Sequence, residues 1–464
     1  MIKVLYYNYV PLRANGIGGG VAVYLKNVFN YFNEHPEVGI EPVFISSGFI
    51  FDNTHKTYLR QEEKWNKIEN YTIVNSPIIA SQIEASSSIK ALLNDQILLD
   101  IFDRFLALHN DIRVIHFNSF EGLTTNILNL KSKYPNIRFV HSIHDYSLIC
   151  QNAKLWNKWN KNCLISKHKF QCQKCLRYYQ IIPRDEYAAM KMHHTETQKH
   201  SLLTRLGRKI QLYYCDYLKD SSDFNKLRKH NVFQINKYSD VELCVSQRVK
   251  DILINAGVNK EKIVVNYIGT TVAENCQYKC RTDINTPVFT LLFMGYASVA
   301  KGFFYLLGTL EHLCAIRPEL CKNITIKFAS KMNDDTTRQR VEKLRANFHD
   351  IVIYNGYSHE DFPEIMGNVN LGIVPPLWED NLPQVAIEMI ANGIPVMTSR
   401  NGGAHELNNS VDFVFYDRDD LERKIEKIYH NRQLLLDYWD KSHSLTTMKM
   451  HIDSLKSIYL GQIL

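Results

Sequence analysis

The chain has 464 residues and a formal net charge of +7, with 45% hydrophobic and 22% charged residues. This composition is typical of a folded globular protein and excludes a highly charged, disordered chain. The length predicts two domains of roughly 200 residues each. No apolar run approaches the ~18 residues that span a bilayer, and the N-terminal stretch lacks the build of a signal peptide. We therefore expect a cytoplasmic protein whose ten cysteines are thiols or metal ligands.

The first half of the chain alternates predicted strands with predicted helices. The stretches MIKVLYYNYV, EPVFISS, RVIHFNSF and IRFVHSIHD have the apolar and aromatic composition of buried strands. Between the first two, VAVYLKNVFNYF has apolar residues at helical spacing. This alternation indicates a parallel α/β sheet.

The same pattern restarts near residue 240. Further strand candidates are VELCVS, KIVVNYIG, TLLFMGY, TIKFAS, IVIYNGY, VNLGIVP and IPVMTS, with helices between most of them. The simplest fold class is α/β with two doubly wound domains. We place the first domain at residues 1–237 and the second at residues 238–443.

Residues 151–235 interrupt the pattern and are predicted to form an insertion of loop and helices. Residues 154–210 contain thirteen Lys or Arg against three Asp or Glu, a local charge of +10. Such a segment is suited to an anionic surface, either lipid headgroups or nucleic acid. A solvated, loosely structured insertion explains the charge equally well.

Four cysteines, Cys150, Cys163, Cys172 and Cys175, occur in or beside this insertion. Cys172 and Cys175 form a C-x-x-C pair, and four thiolates are sufficient for a structural zinc site. The irregular spacing of the first two leaves reduced, packed thiols as the alternative.

Two glycine-containing loops follow predicted strands. GIGGG, which includes Gly19 and Gly20, opens a helix, and free backbone N–H groups there suit an anion. The alternative is a flexible turn, since the spacing fails the dinucleotide fingerprint. GYASVAKG starts at Gly295 and places Lys301 at a helix start, where it could contact a phosphate or simply lie on the surface.

The stretch WEDNLPQVAIEMIANG predicts a helix that starts near Pro383 and ends at Gly393. Asp380 precedes this helix and Glu388 lies on its polar side. Ligands of open α/β sheets bind beyond the carboxyl ends of strands, and carboxylates accept hydrogen bonds from sugar hydroxyls. Helix capping and a solvated helix face are the structural alternatives.

A histidine ends another predicted strand. In HSIHDYSLIC, His144 stands where strand becomes loop. There it could bind a hydroxyl or phosphate, move a proton, or serve as a hydrogen-bonded structural residue.

In this order, these motifs resemble the retaining, nucleotide-sugar-dependent glycosyltransferases of the GT-B fold. The most specific element is DNLPQVAIEMIANGIPVMTS, which is similar to the family's paired-acid signature with Asp380 in a place often held by Glu. The VHSIHDYSLIC stretch followed by cysteines resembles a bacterial subset that builds surface polysaccharides such as capsule, O-antigen or lipopolysaccharide.

The resemblance implies two Rossmann-like domains and a last helix, within residues 444–464, that crosses back to the first domain. It also implies a donor site. Gly19 and Gly20 would lie beside the donor diphosphate, Gly295 and Lys301 would belong to the loop that holds it, and Glu388 would bind the ribose.

The resemblance also implies which residues bind the transferred sugar. Asp380, with the backbone at Leu382 and Gln384, would hold its hydroxyls, and His144 would lie near the sugar and the departing phosphate.

The resemblance implies retaining transfer from a UDP- or GDP-sugar without a metal ion. The acceptor would be a glycan or a polyprenyl-diphosphate-linked glycan at the anionic cytoplasmic face of the membrane, with no nucleic acid involved. One departure concerns the donor: the family commonly has arginine where this chain has Tyr296. The alternatives are a nucleotide-sugar epimerase of the same fold and a non-catalytic protein that binds membrane or nucleic acid through the basic segment.

Overall fold

The computed structural model describes residues 1–13, 19–80, 92–93, 95–150, 152–157, 159–163, 172, 221–332, 334–408, 410–440 and 444–463. Within these ranges the chain forms two sheets, one of eight strands and one of six. None of the helices in the described ranges has the length and apolarity to cross a membrane.

The first sheet has the strand order β3-β4-β2-β1-β5-β6-β7-β8, and every neighbouring pair except β3 with β4 is parallel. Its central strands are buried apolar runs because helices and connecting segments cover the sheet. The strands are β1 (Ile2–Tyr7), β2 (Ile40–Ser47), β3 (Tyr58–Trp65), β4 (Ile68–Val74), β5 (Ile112–Phe117), β6 (Arg138–Ile143), β7 (Val241–Cys244) and β8 (Ile263–Val265).

Two strands after residue 237 belong to this first sheet. β7 pairs with β6, and β8 pairs with β7. The boundary predicted at 237/238 is therefore wrong, because strands of four and three residues carry no local signal for the sheet they join. The helix before them also belongs to the first domain, since it buries Leu227 and Ile235 in the core. That helix overlaps the end of the insertion predicted at 151–235.

The helices in the described part of the first domain are α1 (Gly19–Glu34), α2 (Gln96–Leu108), α3 (Ser221–Tyr238) and α4 (Gln247–Asn255). Side chains that accept a backbone N–H start two of them: Asp95 caps α2 and Ser246 caps α4. Such caps satisfy backbone donors that the first turn leaves unpaired.

The second sheet is entirely parallel, in the order β11-β10-β9-β12-β13-β14. Numbered from its own first strand this is 3-2-1-4-5-6, the Rossmann order, in which the direction of winding reverses between β9 and β12. The strands are β9 (Phe289–Met294), β10 (Ile324–Ala329), β11 (Asp350–Tyr354), β12 (Leu371–Val374), β13 (Val396–Ser399) and β14 (Val414–Phe415).

The second domain carries seven helices in its described part: α5 (Phe303–Ile316), α6 (Pro318–Cys321), α7 (Asp335–Leu344), α8 (Phe362–Ile365), α9 (Gln384–Ala391), α10 (Arg418–His430) and α11 (Gln433–Asp440). β9 is buried along its whole length, as expected for a strand covered on both faces. The two sheets with their helices confirm the predicted α/β class with two Rossmann-like domains.

The last helix, α12 (Met448–Tyr459), packs against the first domain. The Tyr459 hydroxyl lies 2.8 Å from the Tyr6 hydroxyl and 2.6 Å from His116 Nδ1. His451 Nε2 lies 2.7 Å from the Tyr24 hydroxyl. These buried hydrogen bonds tie the end of the chain to β1, β5 and α1.

A second link joins the domains through α4. The carboxylate of Glu406 accepts hydrogen bonds from the backbone N–H groups of Gln247 and Arg248, at 2.8 and 2.7 Å. The Arg248 guanidinium contacts both carboxylate oxygens of Glu379, at 2.9 and 2.5 Å. A carboxylate at a helix N-terminus is favourable, and the bidentate pair adds directional contacts.

Candidate active site

A cleft of about 320 Å³ lies between the two domains. Its floor is the carboxyl end of β9 and β12, where the second sheet reverses its winding and open α/β sheets bind ligands. The first domain forms the facing wall. The lining residues are Gly20, Val21, Tyr24, His144, Val245, Ile268, Phe293, Met294, Gly295, Tyr296, Lys301, Tyr357, Val374, Pro375, Pro376, Trp378, Asp380, Asn381, Leu382, Pro383, Gln384 and Val385.

Two loops of the second domain meet at this floor. One follows β9 and ends at Gly302, and the other follows β12; the N–H of Leu377 donates to the Ala300 carbonyl at 2.8 Å. Gly302 has a φ of +78°, and a Cβ there would lie 1.8 Å from the Pro375 carbonyl oxygen. Only glycine permits this close approach. The contact fixes the position of the neighbouring Lys301.

Lys301 and Asp380 form an ion pair across the two loops. Lys301 Nζ lies 2.7 Å from Asp380 Oδ2, and the two side chains are 35% and 8% exposed. The ammonium also lies over the Trp378 ring, 5.3 Å from its centre. Among the described residues that line the cleft, Lys301 is the only Lys or Arg and Asp380 the only carboxylate.

The helix α9 points its N-terminus at the cleft. Pro383 is the N-cap residue and makes no side-chain hydrogen bond to the helix. The helix begins at Gln384, one residue after Pro383, because Pro383 has the extended ψ of 116°. The side chain of Gln384 donates to the Gly20 carbonyl at 3.2 Å, so the first turn of α1 and the N-terminus of α9 meet across the cleft. The rest of the predicted glycine loop, residues 14–18, lies outside the described residues.

The loop that carries Asp380 is supported from behind by two glycines. A Cβ on Gly402, which has a φ of +66°, would lie 2.0 Å from the Asp380 carbonyl oxygen. The N–H of Gly403 donates to that same carbonyl at 2.8 Å. The Gly402–Gly403 pair therefore sets the height of the Asp380 backbone above the sheet.

His144 forms the first-domain wall beside Tyr24, with the ring centres 4.9 Å apart. Its Nε2 atom is buried and has no hydrogen-bond partner in the part of the chain that the structure describes. Burial, with smaller contributions from His451 and His141, lowers the pKa of His144 to about 3. The imidazole is therefore neutral near pH 7, and its ring nitrogens can exchange hydrogen bonds with a bound ligand.

Glu388 lies on α9 and does not line the cleft. Its Oε1 is 3.2 Å from His359 Nε2, and this hydrogen bond raises the pKa of His359. One link to the cleft is Tyr357, which lines it and whose pKa is raised by burial and by the charge of Glu388.

The structure thus brings most of the predicted site residues to one cleft. Seven line it, while Glu388 and Gly19 lie close in the chain to lining residues but outside the wall itself. The seven are Gly20, His144, Gly295, Lys301, Asp380, Leu382 and Gln384.

Several site features were missed by the reasoning from sequence. Tyr24 and Tyr357 line the cleft, and Trp378 and Asn381 flank Asp380 along the chain. The signal available for the last two was their position beside the paired acids. The sequence gives no signal for Arg248, because its contact to Glu379 joins positions 131 residues apart.

The predicted zinc site is not seen in the described part of the chain, where no group of three or more His, Cys, Asp or Glu is arranged to hold a metal ion. Cys175 lies outside the described residues. The Cys150 thiol donates to Asn152 Oδ1 at 2.8 Å, and burial raises the pKa of Cys150 to about 11. Cys172 Sγ accepts from the Arg228 guanidinium at 3.4 Å.

The fold, with its cleft between two Rossmann-like domains, is that of the GT-B glycosyltransferases. Residues 288–431, which contain the second sheet and both cleft loops, match the family described as Glycosyl transferases group 1. No protein with a curated description matches the sequence significantly.

Solved structures of the same architecture align over nearly the whole chain. They include an α,α-trehalose-phosphate synthase (UDP-forming) from Burkholderia xenovorans in complex with glucose-6-phosphate, with a TM-score of 0.61, 10% identity and 99% and 100% of the two chains covered. The sucrose-phosphate synthase of Thermosynechococcus elongatus has a TM-score of 0.59 and 13% identity over 100% and 99%. The structure of Anabaena Alr3699/HepE in complex with UDP and glucose has a TM-score of 0.56 and 14% identity, with 99% of both chains covered.

At these identities the structural likeness establishes the fold. Together with the family match it supports a GT-B glycosyltransferase, in agreement with the resemblance read from the sequence.

Proposed function

We propose that this protein is a retaining glycosyltransferase that moves a sugar from a nucleoside-diphosphate donor to a glycan or lipid-linked acceptor. The observation that carries the proposal is the pairing of Lys301 with Asp380 at the floor of the cleft, opposite His144 and Gly20. This arrangement offers a cation and a helix N-terminus for a diphosphate, with a carboxylate beside them for sugar hydroxyls.

In the proposed reaction the bond between the sugar C1 and the diphosphate oxygen breaks, and the nucleoside diphosphate leaves with the electron pair. Lys301 and the N-terminus of α9 stabilise the negative charge that develops on the leaving oxygen. The acceptor oxygen bonds to C1, and its proton passes to the leaving phosphate. Asp380 and neutral His144 hold the sugar during this step.

Retention is proposed to follow from attack on the same face that the diphosphate leaves. A double displacement requires a carboxylate free to attack C1. Asp380 is the single acid that lines the described cleft, and it is already paired with Lys301. The reaction is proposed to need no metal ion, so a chelator in the assay is expected to leave the rate unchanged.

The donor is proposed to be a UDP- or GDP-sugar. UDP is favoured because HepE was solved with UDP and with UDP-glucose, and the trehalose-phosphate synthase is described as UDP-forming. Glu388 remains the proposed ribose ligand. It would have to share its carboxylate with His359, whose ring lies 3.2 Å away.

The acceptor is proposed to be part of a bacterial surface glycan, carried on a polyprenyl diphosphate at the cytoplasmic face of the membrane. One exposed face of α3 supports this placement. Lys226, Lys229, Phe233 and Lys237 are exposed at helical spacing, and Lys237 Nζ lies 5.5 Å from the centre of the Phe233 ring. Basic residues around an exposed aromatic suit anionic headgroups. Flotation that is the same on anionic and zwitterionic liposomes would contradict this part.

The central experiment measures thermal stabilisation by UDP, GDP, ADP and CDP for the wild type and for Glu388→Ala. A ligand that binds only the folded state raises the melting temperature by mass action. We expect one nucleotide to stabilise the wild type and to lose most of its effect in the variant. No stabilisation by any nucleotide would overturn the proposed function. Incubating the matching nucleotide sugar alone and analysing its products separates transfer from epimerisation.

A further inference from the structure

Two side chains that flank Asp380 present polar atoms that lack a partner. Trp378 Nε1 and Asn381 Oδ1 are both buried, and neither makes a hydrogen bond within the described ranges. Both residues line the cleft, and Asn381 is only 5% exposed. A buried polar atom left unpaired costs about 1–3 kcal/mol, so native proteins rarely keep one without a ligand or water to complete it.

Their surroundings fix which atoms remain available. The Asn381 amide nitrogen donates to the Ile143 carbonyl at 3.4 Å, which turns Oδ1 away as the free acceptor. The Trp378 ring lies under the Lys301 ammonium, and Lys301 is itself held by Asp380. An indole N–H can only donate a hydrogen bond, and an amide oxygen can only accept one.

This pair discriminates between the parts of a nucleotide sugar. An ionised diphosphate offers acceptors only and leaves Asn381 Oδ1 without a donor. A hydroxyl of the ribose or of the transferred sugar can both accept from Trp378 and donate to Asn381, and the proposed ribose ligand Glu388 lies outside this part of the cleft wall. Asn381 also contacts Ile143, the residue before His144, so it lies at the interface between the two domains. A donor bound on the second domain must place its transferred sugar at that interface to reach an acceptor bound on the first domain.

We infer that Trp378 and Asn381 are specificity residues for the hydroxyl groups of the transferred sugar and do not bind the nucleotide. The inference rests on the proposed function and deepens it. It assigns the donor sugar to the hydroxylated class and makes its recognition depend on one donor and one acceptor beside Asp380.

The test compares dissociation constants for UDP and UDP-glucose, and for GDP and GDP-mannose, by calorimetry. Trp378→Phe keeps the ring beside Lys301 and removes the N–H, and Asn381→Leu removes the amide at similar size. We expect each variant to bind the nucleotide sugar about 10-fold more weakly, as for one lost hydrogen bond in a buried site, and the free nucleotide within about twofold of wild type.

Trp439→Phe is the matched control. Its indole N–H contacts Cys280 Sγ at 3.1 Å, and Trp439 does not line the cleft. This control is expected to leave both dissociation constants unchanged. The two cleft substitutions are made in separate variants, and circular dichroism checks that each variant is folded. If one variant does not fold, the other still tests the inference.

The outcomes separate the two ideas. A wild type that binds nucleotides while either folded variant loses nucleotide and nucleotide sugar equally, or loses neither, would overturn the inference and leave the proposed function standing. A wild type that binds none of the four compounds would overturn both.

Discussion

Lys301 Nζ and Asp380 Oδ2 lie 2.7 Å apart across the two loops at the floor of the cleft. The cation proposed to hold the donor diphosphate is therefore already paired with the acid proposed to hold the donor sugar. Binding a diphosphate must share or replace this contact. Two predictions, one for each partner, follow from this competition.

Replacing Asp380 by Asn should strengthen nucleoside-diphosphate binding. The substitution releases Lys301 and removes a negative charge near the phosphates. Lys301, the partner that remains, is 35% exposed and can be solvated, so losing the pair releases about 1 kcal/mol and UDP or GDP should bind up to about 5-fold tighter by calorimetry. Sugar transfer should fall sharply in the same variant. Weaker binding of the free nucleotide would show that Asp380 supports the diphosphate site.

Replacing Lys301 by Met should have the opposite effect on nucleotide binding. A hydrogen bond to a charged group contributes about 1.5–3 kcal/mol, which corresponds to a loss of about 10- to 100-fold in affinity. Lys322→Met is the control, because Lys322 is 62% exposed, is paired with Glu319 and precedes the amino end of β10, away from the cleft. An unchanged affinity in Lys301→Met would remove this lysine from the donor site.

Gly402→Ala should disturb Asp380 without touching its side chain. The new Cβ would lie 2.0 Å from the Asp380 carbonyl oxygen at a φ of +66°. We expect the melting temperature to fall and nucleotide-sugar binding to be lost. Gly39→Ala shares the left-handed backbone, at a φ of +74°, but its Cβ meets no atom closer than 4.0 Å. That control should show only the left-handed penalty of about 1–2 kcal/mol. Equal effects in the two variants would argue against crowding at Asp380.

Arg248→Met should weaken the link between the domains. Glu379 is 6% exposed, so within the described ranges the substitution leaves a buried carboxylate with one hydrogen bond, from the N–H of Gly402 at 3.0 Å. We expect a loss of about 2–3 kcal/mol, somewhat below the range for a fully buried pair because Arg248 is 34% exposed.

The double variant Arg248→Met with Glu379→Gln should recover part of that stability, since it removes the unpaired charge. Arg317→Met serves as the surface control; its partner Glu426 lies 2.7 Å away, and the two side chains are 51% and 31% exposed. Denaturant unfolding followed by tryptophan fluorescence measures the wild type, the single variants Arg248→Met and Glu379→Gln, the double variant and the control. Additive losses in the double variant would mean that the pair does not couple.

Acid sensitivity should depend on His144. Burial lowers the pKa of His144 from 6.5 to about 3 in the folded protein, so between those values the unfolded state binds a proton that the folded state does not. Stability contributed by this site is complete above about pH 6.5 and declines as the pH falls, by at most about 1.4 kcal/mol per pH unit. His144→Gln should therefore reduce the slope of stability against pH between about pH 6.5 and 4. His451, lowered to about 4, keeps part of the slope in the variant.

The sequence by itself determined the fold class and most of the candidate site. Apolar strand stretches alternate along the chain with segments whose apolar residues have helical spacing. These are local patterns, because the spacing of apolar residues is set by the geometry of each element, and they predict two α/β domains. The motifs around Gly20, His144, Lys301 and Asp380 follow predicted strands. In parallel sheets the positions that follow strands lie at one edge, so the sequence alone predicts that these motifs come together.

Only the tertiary structure decided which sheet receives each short strand. β7 has four residues and pairs with β6, about 100 positions earlier in the chain, and the three-residue β8 joins the sheet through β7. The same holds for the Arg248–Glu379 pair and for the free polar atoms of Trp378 and Asn381. Burial and hydrogen bonding between distant segments are properties of the packed molecule, and no local pattern of residues encodes them.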